Sequence, residues 1–469
     1  MAFITYTTKP ENYYVYDANC NSVLRIKKEH YEALSMKNGK DTYQVTVEDF
    51  QKKGFLMSSG IKKIEHPAIN MLKYQLGSCI NSITFQMTQN CNLRCSYCPY
   101  SNDQIYKQRH HNTGMISWEI IKKGIDFLKE HSKDAETIYV AFYGGEPLLN
   151  KKLIIDAMDY TMLNIKEKKI SFGMTTNATL LNDATLSELD KYDISIMVSL
   201  DGGRKEHNQN RKFANGEGSF DIVERNVKNI KENYPKLFSK LKFNTVIAPG
   251  SNYSSIWDFF KDENNIFDFN KVNFNTLSRN YTDEDIQYDA AFFEERNYET
   301  LKAYLMLLGK FDKQNISEHK SDIEHIFSFK EMFIPRKEVP EIAHPRGTCI
   351  PGVKKLFVDI YGNFYPCERV DENSEIMRIG NLENGFDIER VTRLLSIGTT
   401  TEKICKECWA FNCCTICPAS ADDGKSLEYS ADFKLKKCHG VKENALENIK
   451  DYTMLKEFGF EFRMEELLK

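Results

Sequence analysis

No apolar run in the 469-residue sequence reaches the length a membrane helix needs, and its start, MAFITYTTKPENYY, lacks the basic and apolar regions of a signal peptide. Neither sign of charge is in excess: 63 Lys and Arg face 67 Asp and Glu, well mixed, for a net charge of −4, so there is no nucleic-acid footprint. These absences predict a cytoplasmic chain whose partners include neither membrane nor nucleic acid. A third absence is local, because the 250 residues between Cys98 and Cys349 hold no cysteine. The chain has thirteen in all, with three at 91, 95 and 98 and eight from Cys349 to Cys438. In a reduced compartment such thiols point to metal rather than to disulfides, and their uneven placement predicts two separate metal-binding regions. Length and an apolar fraction of 41% allow two or three domains with real cores.

The first region is MTQNCNLRCSYCP, Met87 to Pro99, which spaces Cys91, Cys95 and Cys98 as C-x3-C-x2-C. Three thiolates that close together can grip one soft metal centre. On a four-iron cubane they leave one iron free to bind a small molecule. A structural zinc loop usually takes four protein ligands, and no fourth Cys or His lies between Cys98 and the run His110-His111. The motif resembles that of the radical S-adenosylmethionine (SAM) enzymes, C-x3-C-x-aromatic-C, with Tyr97 in the aromatic place. The resemblance implies a [4Fe–4S] cluster whose open iron chelates SAM, passes one electron to the sulfonium and releases a 5′-deoxyadenosyl radical.

Before this loop, YYVYD (13–17) and SVLRI (22–26) read as a hairpin around a DANCN turn, with Cys20 an ordinary thiol there. KKEHYEALSMK reads as a helix, and Thr46-Val47-Glu48-Asp49 as the capped start of a second. A hairpin followed by short helices resembles the winged-helix element that captures the leader of a ribosomally made peptide by strand addition. A plain packing extension is the other reading.

From SITFQMT (82–88) onward the chain alternates strands with helices: TIYVAFYGG (137–145), ISFGMTTN (170–177), ISIMVSLDGG (194–203), FNTVIAPG (243–250) and KVNFNTL (271–277). Helical patterns lie between them over 117–131, 152–168 and 220–234. Six β-α units predict an α/β fold, a partial (β/α)6 TIM-like barrel with its site at the C-terminal strand ends. Informative residues fall there. Gly144-Gly145-Glu146-Pro147 offers backbone that can come close to a ligand and an acid that can accept from an ammonium group. By resemblance to the family's GGEP motif, Gly144, Gly145 and Glu146 would hold the SAM amino group. Thr176 and Asn177 match a TNG-like segment, Ser199 would contact the ribose or carboxylate, and Arg211, beyond Asp201, would take the carboxylate in its fork. The blander readings are a helix-initiating turn, a cap and a surface ion pair.

Residues 280–345 read as polar and helical, clearest over DEDIQYDAAFFEERNYETLKAYLMLLGKF, and bridge to the second cysteine region. There an apolar strand LFVDI (356–360), a Gly362-Asn363 turn and a second strand ending at Cys367 predict a hairpin. The order Cys349, Gly362, Cys367, then Cys405, Cys408, Cys413, Cys414, Cys417 and Cys438 resembles the SPASM extension of radical SAM peptide maturases. Two auxiliary [4Fe–4S] clusters follow from that resemblance, making three in all. Cys405, Cys408, Cys414 and Cys438 would hold the distal one, and Cys349, Cys367 and Cys417 the one nearer the barrel. Either Cys413 closes that second shell or an iron stays open to a substrate thiolate. Zinc ribbons share the C-x2-C spacing and are the competing reading.

The division expected is 1–78 for leader recognition, 79–280 for the barrel, 281–345 for a helical bridge and 346–469 for the SPASM domain. The resemblance implies a maturase that joins a cysteine sulfur of a precursor peptide to a carbon radical, fed by a flavodoxin- or ferredoxin-type donor. Carbon–carbon crosslinking and sulfatase-type maturation are alternatives within the family. A non-catalytic Fe–S or zinc scaffold is the alternative outside it.

Overall fold

The computed structural model describes residues 2–35, 39–100, 111–262, 266–277, 280, 286–312, 319–353 and 355–462. Three short antiparallel strands come first, β1 (Phe3–Thr7), β2 (Tyr13–Asp17) and β3 (Ser22–Ile26), in that spatial order. The predicted hairpin is β2–β3. β1 is an addition to it, held by a stack of Tyr6 on Tyr14 with ring centroids 5.6 Å apart. Helices Lys28–Leu34 and Lys40–Lys52 follow. Residues 36 and 37 of the predicted KKEHYEALSMK helix lie outside the described residues.

Thr46 is not a cap, which corrects the expected start of the second helix. It sits in mid-helix, and its hydroxyl donates to the Thr42 carbonyl at 2.8 Å. Threonine can bond back one turn in this way, so a T-x-x-D pattern inside a helix imitates a beginning. The short β4 (Lys63–Ile64) then leads to the helix Leu72–Ser78.

The six expected barrel strands are all present: β5 (Ser82–Thr88), β6 (Thr137–Gly144), β7 (Lys169–Thr176), β8 (Ile194–Ser199), β9 (Lys242–Ile247) and β10 (Val272–Thr276). Each is parallel to the next. Alternation explains the sheet. Ile83, Val140, Phe172 and Ile194 stand side by side across four strands, as do Phe85, Phe142, Met174 and Ile196, and all eight are buried. They lie in one core with residues of the helices Trp118–His131, Lys151–Asn164 and Phe220–Asn233. The row between them, Thr84, Ala141, Gly173 and Ser195, is small and polar and belongs to the opposite face.

After the helices Ala290–Leu307 and Lys320–Met332, β11 (Ile342–Ala343) pairs with β4. The first of these helices starts at Ala290, where Asp289 accepts from the Phe292 amide; the expected residues 283–285 lie outside the described residues. β12 (Phe357–Val358) and β13 (Asn363–Tyr365) form the expected hairpin, followed by β14 (Gly380–Asn381) and β15 (Gly385–Phe386). β12 is shorter than LFVDI because the Asp359 carboxylate turns back to accept from the Tyr361 and Asn363 amides. β12 also pairs in parallel with β5, so one ten-stranded sheet runs β10-β9-β8-β7-β6-β5-β12-β13-β14-β15. The chain ends in a long helix, Ala431–Glu457, whose last turn accepts from Thr8 and Tyr14 through Glu457. No described helix is long and apolar enough to cross a membrane.

Candidate active site

The cysteine loop leaves the end of β5 and is clamped by the turn after β6. Gly145 N–H donates to Thr88 O and Glu146 N–H to Asn90 O, each at 2.9 Å. A Cβ at Gly145 would stand 2.1 Å from Asn90 O, and one at Gly144, where φ is +138°, 2.3 Å from Thr88 O. The paired glycines are therefore what lets two loops touch through their backbones, a closer partner than the ligand the sequence suggested.

Glu146 is buried, and its carboxylate accepts from the Leu148 amide at 3.1 Å, the Thr176 hydroxyl at 2.7 Å and the Asn177 amide at 2.8 Å. Burial pushes its carboxyl up to about 7 against those three donors. Glu146 thus ties the end of β6 to the end of β7. Asn177 passes the tie on: its amide donates to Asn92 Oδ1 at 2.8 Å and to Cys91 Sγ at 3.8 Å, while Leu93 N–H reaches the same sulfur at 3.4 Å. The Cys91 amide donates to His111 Nε2 at 3.3 Å. His110 lies outside the described residues.

Cys91, Cys95 and Cys98 share a small apolar nest with Leu93, Tyr97 and Ala248. Burial pushes the Cys91 thiol up to about 12 and raises Cys95 further, and each lies within electrostatic reach of the other thiols. A bare thiolate is disfavoured in such a nest. Thiolates with a metal centre among them, and N–H donors already aimed at one sulfur, fit it.

Tyr97 donates its hydroxyl to Asp201, and Asp201 also accepts from Arg211 Nε at 2.9 Å and from the Val246 amide at 2.9 Å. The Arg211 guanidinium lies 5.5 Å from the Tyr97 ring centre. Burial opposes its charge, but Asp201 leads the surrounding groups that together outweigh burial and hold Arg211 protonated. Only Nε is engaged; its two terminal nitrogens make no hydrogen bond among the described residues, and neither does the half-buried Ser199 hydroxyl at the end of β8. Sequence reasoning missed the support behind this group, His207. Asp201 N–H donates to its Nδ1 at 3.4 Å, so Nε2 carries the proton toward Ser219 Oγ at 2.9 Å, and Ser219 donates onward to Arg211 O.

In the C-terminal region the thiols separate into two neighbourhoods. Cys405, Cys408, Cys414 and Cys438 line one cavity and feel one another's charge. Cys417 lies within reach of both Cys349 and Cys367. Cys413 turns toward the N-terminal sheet, its sulfur 3.9 Å from the Tyr16 hydroxyl, in a core with Tyr6 and Tyr16. His344 borders the four-cysteine cavity, but its Nδ1 donates to Pro345 O and its Nε2 accepts from Gly398, so both nitrogens are engaged. A buried lysine that forms no ion pair with a carboxylate among the described residues, Lys434, faces the same cavity, which suits an anionic occupant such as a thiolate-ligated cluster. Among the described residues no three His, Cys, Asp or Glu side chains converge as they would around a single ion.

Residues 85–262 match the family described as the Radical SAM superfamily. The chain is 27% identical over 238 residues to the radical SAM cyclopropyl synthase TigE of Paramaledivibacter caminithermalis, covering 48% of this chain and 46% of that protein. It is 24% identical over 342 residues to the cysteine-type anaerobic sulfatase-maturating enzyme of Clostridium perfringens, covering 70% of this chain and 85% of the relative. The fold matches native anSMEcpe solved with bound AdoMet, at a TM-score of 0.55 and 19% identity over 79% of this chain and 99% of the other. A second structure of that protein, with AdoMet and Cp18Cys peptide, gives 0.54 and 20% over 80% and 99%. The chain spans less than half the length of TigE. With a six-stranded parallel sheet leading into a three-cysteine loop and that loop inside the matched segment, this chain carries a radical SAM domain and is homologous to radical SAM maturases.

Proposed function

We propose that this chain is a radical SAM maturase of a ribosomally made precursor peptide and that it forms intramolecular cysteine thioethers. Cys91, Cys95 and Cys98 hold the SAM-binding [4Fe–4S] cluster, which when bound supplies the electron that splits SAM reductively. The chain's own residues bind and orient. Arg211, braced by Asp201 and Tyr97, offers its terminal nitrogens to the SAM carboxylate, and Ser199 offers its hydroxyl to the ribose or carboxylate. Glu146, Thr176 and Asn177 hold the rim at the ends of β6 and β7, and the remaining acceptor capacity of Glu146 with Gly144 and Gly145 serves the amino group.

Two auxiliary clusters complete the site, one on Cys405, Cys408, Cys414 and Cys438 and one on Cys349, Cys367 and Cys417. The single observation that favours a thioether is the orientation of Cys413. Its contact with Tyr16 supports a shell of three cysteines, with a fourth position for a substrate thiolate. Residues 1–78 serve the leader, since the sheet order leaves β1 and β3 as outer strands for strand addition. Residues 281–345 form the bridge, and a flavodoxin- or ferredoxin-type protein donates electrons.

Sulfatase-type oxidation is the second reading, favoured by the 85% coverage of the sulfatase-maturating relative. The experiment is anaerobic turnover of the reconstituted protein with SAM, dithionite and the short peptide encoded beside its gene. A thioether product is lighter by two hydrogens per link, and its cysteine no longer takes an alkylating reagent. An aldehyde that reacts with a hydrazide establishes the second reading instead, and a cysteine-free peptide partner ends the first.

A further inference from the structure

Lys434 stands in the first turn of the helix Ala431–Glu457 and is 2% exposed. Its Nζ donates to Thr401 Oγ1 at 2.6 Å and to Cys405 Sγ at 3.4 Å, and the Thr401 oxygen lies 3.3 Å from the same sulfur. No carboxylate forms an ion pair with it among the described residues. Lys434 sits near the positive end of its helix, away from water. Cys438 follows one turn later and Lys442 one turn after that, so K-x3-C-x3-K lies along one face of the helix, and all three line the four-cysteine cavity. Neutral thiols would leave Lys434 without compensation, whereas four thiolates around a [4Fe–4S] core carry net negative charge.

We propose that Lys434 is the fixed counter-charge of the group held by Cys405, Cys408, Cys414 and Cys438, and that its charge and its hydrogen bond to the Cys405 sulfur make that group easier to reduce than it would be without them. The inference rests on the cysteine assignment above. Taking up one electron, supplied in the test by dithionite, changes the net charge of a four-thiolate [4Fe–4S] group from 2− to 3−. A buried ammonium 3.4 Å from one ligand stabilises the product more than the reactant.

The test uses the full chain, reconstituted anaerobically in a Cys95→Ala background so that the SAM-binding centre is silent, with iron analysis and an EPR-monitored redox titration. Lys434→Met and Lys434→Gln remove the charge, and only Gln can still donate to Thr401 and Cys405. Lys434→Arg keeps the charge. Expected is an unchanged iron content of about eight per chain in the Gln and Arg variants. One midpoint should fall in Met and Gln by about tenfold or more in the equilibrium constant, about 59 mV for one electron, and stay near the parent value in Arg. Unmoved midpoints in Met and Gln overturn the counter-charge role. Loss of about four irons in Met alone, with the Gln midpoint unmoved, overturns it too, in favour of a purely structural hydrogen bond. A Cys95→Ala parent that holds no iron removes the cysteine assignment itself, and this inference with it.

Discussion

A radical SAM reading rests on very few atoms, and Gly145 shows how few. Its missing side chain is the gap through which the turn after β6 meets the cysteine loop, since a methyl group there would overlap Asn90 O at 2.1 Å. Backbone cannot yield as a flexible side chain can, so Gly145→Ala should displace the loop that carries Cys91 rather than merely crowd it. The expected outcome is loss of about four irons per reconstituted chain, the content of one cubane, together with SAM cleavage. A Gly145→Ala protein with full iron and undiminished 5′-deoxyadenosine production would show that the loops have room. Residue identity in this loop was legible because thiol spacing is a chemical requirement. Lys434 was not, because in KLKKC a lysine on a charged helix looks like one more solvated side chain until the fold covers it.

Between elements, His207 is the joint. It belongs to the helix Arg204–Asn210, accepts from Asp201 just beyond β8, and donates to Ser219 ahead of the helix Phe220–Asn233. Burial first, and Arg211 second, lower its imidazole from 6.5 to about 3. The folded state therefore holds it neutral, while the unfolded chain binds a proton below pH 6.5. Stability from this group is complete above 6.5 and is lost progressively as pH falls toward 3. Between pH 7 and pH 5 the loss is about 2 kcal/mol from this one side chain. The apparent melting temperature of the parent should fall over that interval by more than that of His207→Gln, whose amide can replace both hydrogen bonds without titrating. Equal slopes would show that the histidine is protonated in the fold. The strands of the sheet were readable because apolar residues alternate with small polar ones. Thr46 misled because a capping pattern carries no record of whether the preceding residues are already helical. β1 was passed over because part of its worth lies in a distant partner, Thr453, which Tyr6 reaches while it pairs with Tyr14.

For the whole molecule, the two cysteine regions are 250 residues apart in sequence, yet β5, which leads into the first, and β12–β13, which lead to Cys367 in the second, are strands of one sheet. Three cubanes predict about twelve irons per chain, and Cys95→Ala should retain about eight while losing 5′-deoxyadenosine production. Two or three zinc ions per chain, or continued SAM cleavage in that variant, would refute the assignment. The order of parts could be read from the sequence, but their contacts could not. Nothing in the first twenty residues announces that Tyr16 will meet Asn412 and Cys413, or that Thr8 and Tyr14 will reach Glu457.

The pairing of Phe357 with Thr84 and of Val358 with Phe85 carries a consequence for how the chain can be divided. β5 is an interior strand only because residues from the last quarter of the chain cover its second side. A protein cut short at residue 345 would turn β5 into a bare margin of amides and carbonyls, open to pairing with another copy. The cysteine loop after β5 would then hang from an aggregation-prone border, so the C-terminal region protects the parallel sheet as well as extending it.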